Sequence, residues 1–177
     1  MAVIMMGKKA AVLFNNNESV DGLFADFVKK ITASGITVGG IVQEMHSTKH
    51  GKMGSIDAIE VDTAKRINIK TPHLPTTTPG TCLLDASMLA ECSSAIHRAI
   101  NGNFDLVVIE KFGRQEAKGE GLIDEIMAAL ASDTPAIIAL PEGYKNEWDK
   151  ITGGEIEILP ANIDAMVAWW NNKKPAP

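Results

Sequence analysis

The stretch DLVVIEKFGRQEAKGEGL, Asp105 to Leu122, gathers more chemistry than any other part of the chain. An apolar run ends on Glu110, and Lys111, Arg114 and Lys118 then alternate with Glu116, Glu120 and three glycines. A carboxylate closing a buried strand can position a water or a magnesium ion, and it can equally pair with a neighbouring lysine. Gly113, Gly119 and Gly121 point to a loop with backbone angles that other residues avoid, leading into a helix. Cations carried on such a loop suit a phosphate or another oxyanion, because charge-assisted hydrogen bonds are the strong ones.

A second cluster, NNNESVDG, runs from Asn15 to Gly22, between an apolar run and a segment with helical spacing. That is where many α/β proteins hold a phosphate. A working phosphate loop reads GxxxxGK[ST]: glycine amides wrap the phosphates, lysine neutralises them and the hydroxyl holds magnesium. Laid over that pattern, Asn15 and Val20 stand at the glycines, Asp21 at the lysine and Gly22 at the hydroxyl. Glu18 and Asp21 also reverse the field. A like-charge contact near 5 Å costs roughly 3 kcal/mol at an effective dielectric of 20, whereas a helix N-terminus returns about 0.3 to 1 kcal/mol. ATP in the usual pose is therefore disfavoured, and Ser19 or an asparagine is expected to cap the helix while the acids complement its dipole. Asn15, Asn16, Asn17 and Ser19 stay candidates for contacts to a small ligand.

The third cluster, HSTKHGK, places His46 and His50 four apart with Lys49 and Lys52. On a helix that histidine spacing would hold a metal, but Gly51 and the flanking strand argue for a loop, and no nearby acid completes a ligand set. His46 and Lys49 offer an oxyanion contact; the bland alternative is a solvated loop. Cys92 lies on the apolar face of Met88, Leu89 and Ile96 and reads as core. Cys82, at a helix entrance, is better placed for a lowered pKa.

A chain of 177 residues with 45% apolar content fits one globular domain over 1–177, with about 171–177 as a flexible tail. A net charge of -5 gives no broad footprint for nucleic acid or an anionic membrane. The short apolar start and the absence of an ~18-residue apolar run predict no membrane insertion, and two cysteines without a CxxC pair fit a reduced, cytoplasmic setting. Ala10 to Phe14 reads as a strand and Val20 to Ile31 as a helix stopped by Gly35. Ile36 to Met45 is a second strand, His46 to Ser55 a polar loop, and Ala58 to Val61 with Ile67 to Ile69 a hairpin. TPHLPTTTPG, Thr71 to Gly80, is a loop. A helix capped by Asp85 follows to Ile100, then strands at Phe104 to Glu110, Pro135 to Leu140 and Glu155 to Leu159 between helices at Gly121 to Ala131, Tyr144 to Ile151 and Ile163 to Trp170.

This alternation predicts an α/β fold: a three-layer, mostly parallel sheet with helices on both faces and the hairpin as an insertion. Ligands in such sheets collect beyond the carboxyl ends of the strands, so Asn15 to Asp21, His46 to Lys52, Lys111 to Gly121 and Pro141 to Tyr144 should share one rim. At the far end, one of Trp169 and Trp170 should pack inward. The other is either an ordinary partly buried residue or an exposed one able to seed a homodimer.

Lys111-Phe112-Gly113, followed by Glu116-Ala117, Gly119 and Gly121-Leu122, resembles a bacterial family of unknown function, similar to small nucleoside-triphosphatases and often associated with molybdenum-transport genes. Supporting pieces are the opening strand and its turn, Cys82 with Leu84-Asp85, Pro141-Glu142 and Ala168-Trp169-Trp170. The chain departs from the family pattern at Glu110, where a polar uncharged residue is common, and at Leu83, where an arginine commonly follows the cysteine. The resemblance implies a P-loop NTPase-like fold with a degenerate Walker A loop and a link to molybdate, without an established reaction.

Three functions follow as expectations. In the first, the rim of Asn15 to Ser19, His46 to Lys52 and Lys111 to Lys118 holds a small anionic ligand, a nucleotide or molybdate, with no catalysis or only weak catalysis. In the second, the chain is a magnesium-dependent nucleoside-triphosphatase with Glu110 as the acid that positions magnesium or water and Lys111 or Arg114 supplied to the phosphates. In the third, it is a regulatory or structural partner using the site only as scaffold.

Overall fold

The structure is a computed structural model that describes residues 7–15, 21–47, 53–70 and 86–172. Strands β1 (Lys9–Phe14), β2 (Val38–Ser47), β3 (Met53–Glu60), β4 (Arg66–Lys70), β5 (Leu106–Ile109), β6 (Ala136–Pro141) and β7 (Glu157–Pro160) form one sheet in the order β4-β3-β2-β5-β6-β1-β7. From β2 to β7 every neighbouring pair is parallel, and the β2-β3 and β3-β4 pairs are antiparallel. The hairpin therefore extends the parallel sheet, as its sequence pattern predicts.

Strands buried on both faces need apolar residues at every position, which is why KAAVLF, LVVI and AIIALP read as unbroken runs. Their side chains divide between two cores. Ala10, Val12, Leu106 and Val108 meet helices α1 (Leu23–Thr32) and α6 (Ile163–Asn171). Ala11, Val107 and Ile109 meet α2 (Ala86–Asn101), α4 (Ile123–Ala131) and α5 (Lys145–Thr152) on the other face. The outcome is three layers. At Gly40 the φ is 110°, and a Cβ there would stand 2.0 Å from the Val108 carbonyl oxygen, so only glycine lets β2 lie against β5.

Two adjacent lysines at the amino end of β1 hold a helix on each face. Lys9 Nζ donates to the carbonyls of Ala129 at 2.9 Å, Ser132 at 2.8 Å and Thr134, closing the end of α4. Burial pulls its pKa down to about 8 against the opposing pull of Asp133. Lys8 Nζ donates to the carbonyls of Trp169 and Asn172 at the end of α6. Cations at a helix C-terminus complete carbonyls that the helix leaves open.

Several local expectations change. His46 and Ser47 belong to β2, and Met53 to Ser55 to β3, because each strand satisfies the other's backbone through pairs such as Glu44↔Asp57 and Met45↔Ile56. Helix α1 starts at Leu23 with Gly22 as N-cap at φ 77° and no side-chain cap, so the cap expected from Ser19 or an asparagine is replaced by a left-handed glycine turn. Trp169 and Trp170 are both buried, at 4% and 5% exposure, so neither is the exposed tryptophan that would seed a dimer. Helix α6 packs against α1 as well as β7, and its buried arc is wide enough to take two consecutive side chains. Asn171 closes α6 rather than opening a tail. The capping role of Asp85, the Thr71 to Gly80 loop and residues 173–177 lie outside the described residues, as does Cys82. Among the described residues no helix is long and apolar enough to cross a membrane.

Candidate functional site

Beyond the carboxyl end of β5, against the face of β2 where it runs on past that end, lies a cavity of about 450 Å³. One wall follows from strand alternation: Ile41, Gln43 and Met45 of β2 point to the same face, continued by Ile56 of β3 and Ile69 of β4. Leu89 and Cys92 from the first turns of α2 close a second side, and burial pushes the Cys92 thiol up to about 11. The third side is the loop from Glu110 to Leu122, with Tyr144 beside it.

That loop is built around Glu116, which is 7% exposed. Its Oε2 accepts the Gly113 N–H at 2.9 Å and its Oε1 accepts the Leu122 N–H at 3.0 Å, so one carboxylate ties the start of the loop to its end. Between them runs the short helix α3 (Arg114–Ala117), which the sequence pattern did not announce. A Cβ on Gly121, where φ is 61°, would stand 2.4 Å from Glu116 Oε1. The glycine spacing thus serves the Glu116 carboxylate. Phe112 anchors the same loop from below: its N–H donates to the Ala139 carbonyl at 2.9 Å and its ring meets Trp148 edge to face at 5.3 Å.

Glu110 follows β5 and is 8% exposed. Its Oε2 accepts the Gln43 N–H at 2.7 Å, and the side chain lines the cavity. Burial pushes this carboxyl up to about 7; the Gln43 hydrogen bond and the Lys111 charge oppose the shift, and the Asp21 charge adds to it. The peptide between Glu110 and Lys111 is cis. Lys111 and Arg114 line the cavity, and among the described residues neither is in an ion pair.

The structure brings Glu110, Lys111, Gly113, Arg114 and Glu116 to one cavity. Lys118, Gly119 and Gly121 form the exposed turn behind it. His46 does not join them. Parallel pairing of β2 with β5 ends at Ile41, and His46 stands five residues further on, roughly 17 Å along the strand. It lies on the ribbon's polar face, where its Nε2 is 3.1 Å from Asp57 Oδ2. Burial alone would raise the Asp57 pKa, but hydrogen bonds from Asn68, His46 and Arg66 hold it below the usual carboxylate range. Asn15 ends β1 beyond Phe14, and β6 separates β1 from β5, so it is roughly 10 Å from the β5 end. Asn16, Asn17, Ser19 and Lys49 lie outside the described residues. The apolar wall of Met45, Ile56, Ile69 and Leu89 went unnoticed in the sequence. Its one local signal is the Ile41-Gln43-Met45 alternation.

A parallel sheet with β6 between β1 and β5, a strand-turn-helix at β1 and an acid after β5 has the architecture of the P-loop nucleoside triphosphatases. Two solved structures share it. A human cancer-related nucleoside triphosphatase matches 96% of this chain and 100% of its own at a TM-score of 0.67 and 14% identity. THEP1 from Aquifex aeolicus matches 93% of this chain and 95% of its own at a TM-score of 0.60 and 11% identity. Within that fold, the chain belongs to the family described as "Protein of unknown function (DUF2478)", whose model matches residues 9–169. It is also 36% identical over 171 residues to the molybdenum import ATP-binding protein ModC 2 of Bradyrhizobium diazoefficiens, covering 97% of this chain but 19% of that relative.

Proposed function

We propose that the chain binds a nucleotide or a related small anion at the carboxyl-end rim, with Lys111 and Arg114 as the cations that grip it. The observation that carries this reading is the presence of two cations, neither in an ion pair among the described residues, on a loop whose shape Glu116 holds from both ends. A cation presented on a fixed backbone loses less freedom when it meets a phosphate. The P-loop NTPase-like fold supports a nucleotide, and so does the name of the ModC 2 relative, which speaks of ATP binding. The same name speaks of molybdenum import, which makes molybdate the alternative anion. Asn15 to Ser19 would contribute from the β1 side, where the departures from GxxxxGK[ST] leave the turn without its lysine.

A second reading, magnesium-dependent hydrolysis, is favoured by Glu110. Magnesium asks for one or two carboxylates together with water and phosphate oxygens, and Glu110 Oε1 with the nearby Asp21 charge meets that requirement. A carboxyl brought close to neutrality by burial is also poised to take a proton from water.

The test is a thermal-shift series with ATP plus magnesium, GTP plus magnesium, molybdate, tungstate, sulfate and phosphate, repeated on Lys111→Ala and Arg114→Ala. Stabilisation that disappears in both variants is expected. A nucleotide shift that survives both substitutions refutes the assignment of the grip, and phosphate release that is lost in Glu110→Gln would establish the second reading.

A further inference from the structure

Most of the cavity wall is hydrocarbon: Ile41, Met45, Ile56, Ile69, Leu89 and Leu122 face it, while the cations stand with Glu110 along one side. A bare tetrahedral oxyanion in such a chamber gives up hydration to every side and regains contacts on one. The volume of about 450 Å³ lies within the range of sites that enclose small organic ligands. At the polar side Glu110, 8% exposed, lines the cavity, with the Gln43 side chain on the same wall. We infer that this chamber is the seat of an organic anion: a flat, largely apolar ring body lies against Met45, Ile56 and Leu89, its ring-edge N–H or O–H donates to Glu110, and its phosphate or carboxylate reaches Lys111 and Arg114. The inference rests on the anion-binding reading above and narrows it. Nucleotides fall within this class, and molybdate does not. It also places the ring on the β2 side of Glu110, with β5 and β6 between it and the β1 turn.

The probe is 1-naphthyl phosphate, with a 5-hydroxyl derivative to supply the ring-edge O–H, which should tighten binding further in the wild type and not in Glu110→Ala; it is measured by titration calorimetry at pH 7.5 beside inorganic phosphate, molybdate and 1-naphthol. Binding of 1-naphthyl phosphate at one site, at least tenfold tighter than each of the other three, is expected. Met45→Glu, at a side chain already 44% exposed, should weaken it tenfold or more while leaving the melting temperature unchanged. Leu89→Glu should weaken it as well from the α2 side, and Arg114→Ala should weaken it without touching the apolar wall. Equal affinity for inorganic phosphate and 1-naphthyl phosphate, or indifference to Met45→Glu and Leu89→Glu, overturns the inference while leaving anion binding standing. Failure of every anion to bind, or indifference to Arg114→Ala and Lys111→Ala, overturns the broader reading together with it.

Discussion

Replacing Glu116 by glutamine removes one acceptor oxygen from a loop that uses two. In the native protein the Gly113 and Leu122 N–H groups each end on a separate oxygen of this buried side chain, at 2.9 and 3.0 Å. Glutamine keeps the shape but offers one carbonyl and one NH2, so one buried amide faces another donor. A hydrogen bond to a charged acceptor contributes about 1.5–3 kcal/mol, and a stranded buried donor costs a similar amount, so Glu116→Gln should lower stability by about 2–3 kcal/mol and Glu116→Ala by about 3–5 kcal/mol. Equilibrium urea unfolding followed by tryptophan fluorescence measures this, with an unchanged m-value showing that the loss is one of stability and not of compactness. Hydrogen exchange should localise it, the Gly113 and Leu122 amides losing protection first. A loss under about 0.5 kcal/mol in Glu116→Ala, with both amides still protected, would refute the idea that this carboxylate holds the loop.

Glu110 is raised by burial to about 7 from 4.5, so the folded chain binds more protons than the unfolded one between those values. Its contribution to stability therefore falls as pH rises through that window, and at about 1.36 kcal/mol per pH unit wild type should lose about 3 kcal/mol relative to Glu110→Gln between pH 4.5 and 7; parallel stability profiles would sink this assignment. Gly121→Ala should cost about 2–3 kcal/mol through its positive φ and the clash with Glu116 Oε1. In the Glu116→Ala background the same change should cost measurably less, since the two residues share one contact. Gly40→Ala should leave no soluble folded protein, because its Cβ would lie 2.0 Å from a strand carbonyl that cannot move without parting β2 from β5; native circular dichroism and an unchanged melting temperature would contradict that.

Legibility in the sequence followed the range of the physics. Continuous apolar runs, helical spacing and the punctuating glycines are local signals, and they were enough to place the strand-turn-helix opening, the alternating strands and helices, the hairpin insertion and the special character of Lys111 to Leu122. Alternation also placed Cys92 in the core, where it lies at 1% exposure. The four rim segments were grouped by the rule that ligands collect at strand carboxyl ends, and that rule misjudged His46. Once β2 and β3 pair past the end of β5, the rim is left behind, and the histidine becomes part of a polar ribbon face with Asp57.

The chain's own order of residues determined its class of fold, because burial of an unbroken apolar strand and of one helical stripe is decided within a dozen residues. It also determined that a carboxylate, two cations and three glycines would share one loop. Only the tertiary structure decided what each does: Glu116 spends both oxygens on the backbone amides of Gly113 and Leu122, Glu110 is desolvated beside β2, and both tryptophans turn inward. The cavity belongs wholly to that level. Its walls come from β2, β3, β4, α2 and the β5 loop, segments distant in sequence, and no periodicity within any one of them records that their apolar faces stop short of meeting.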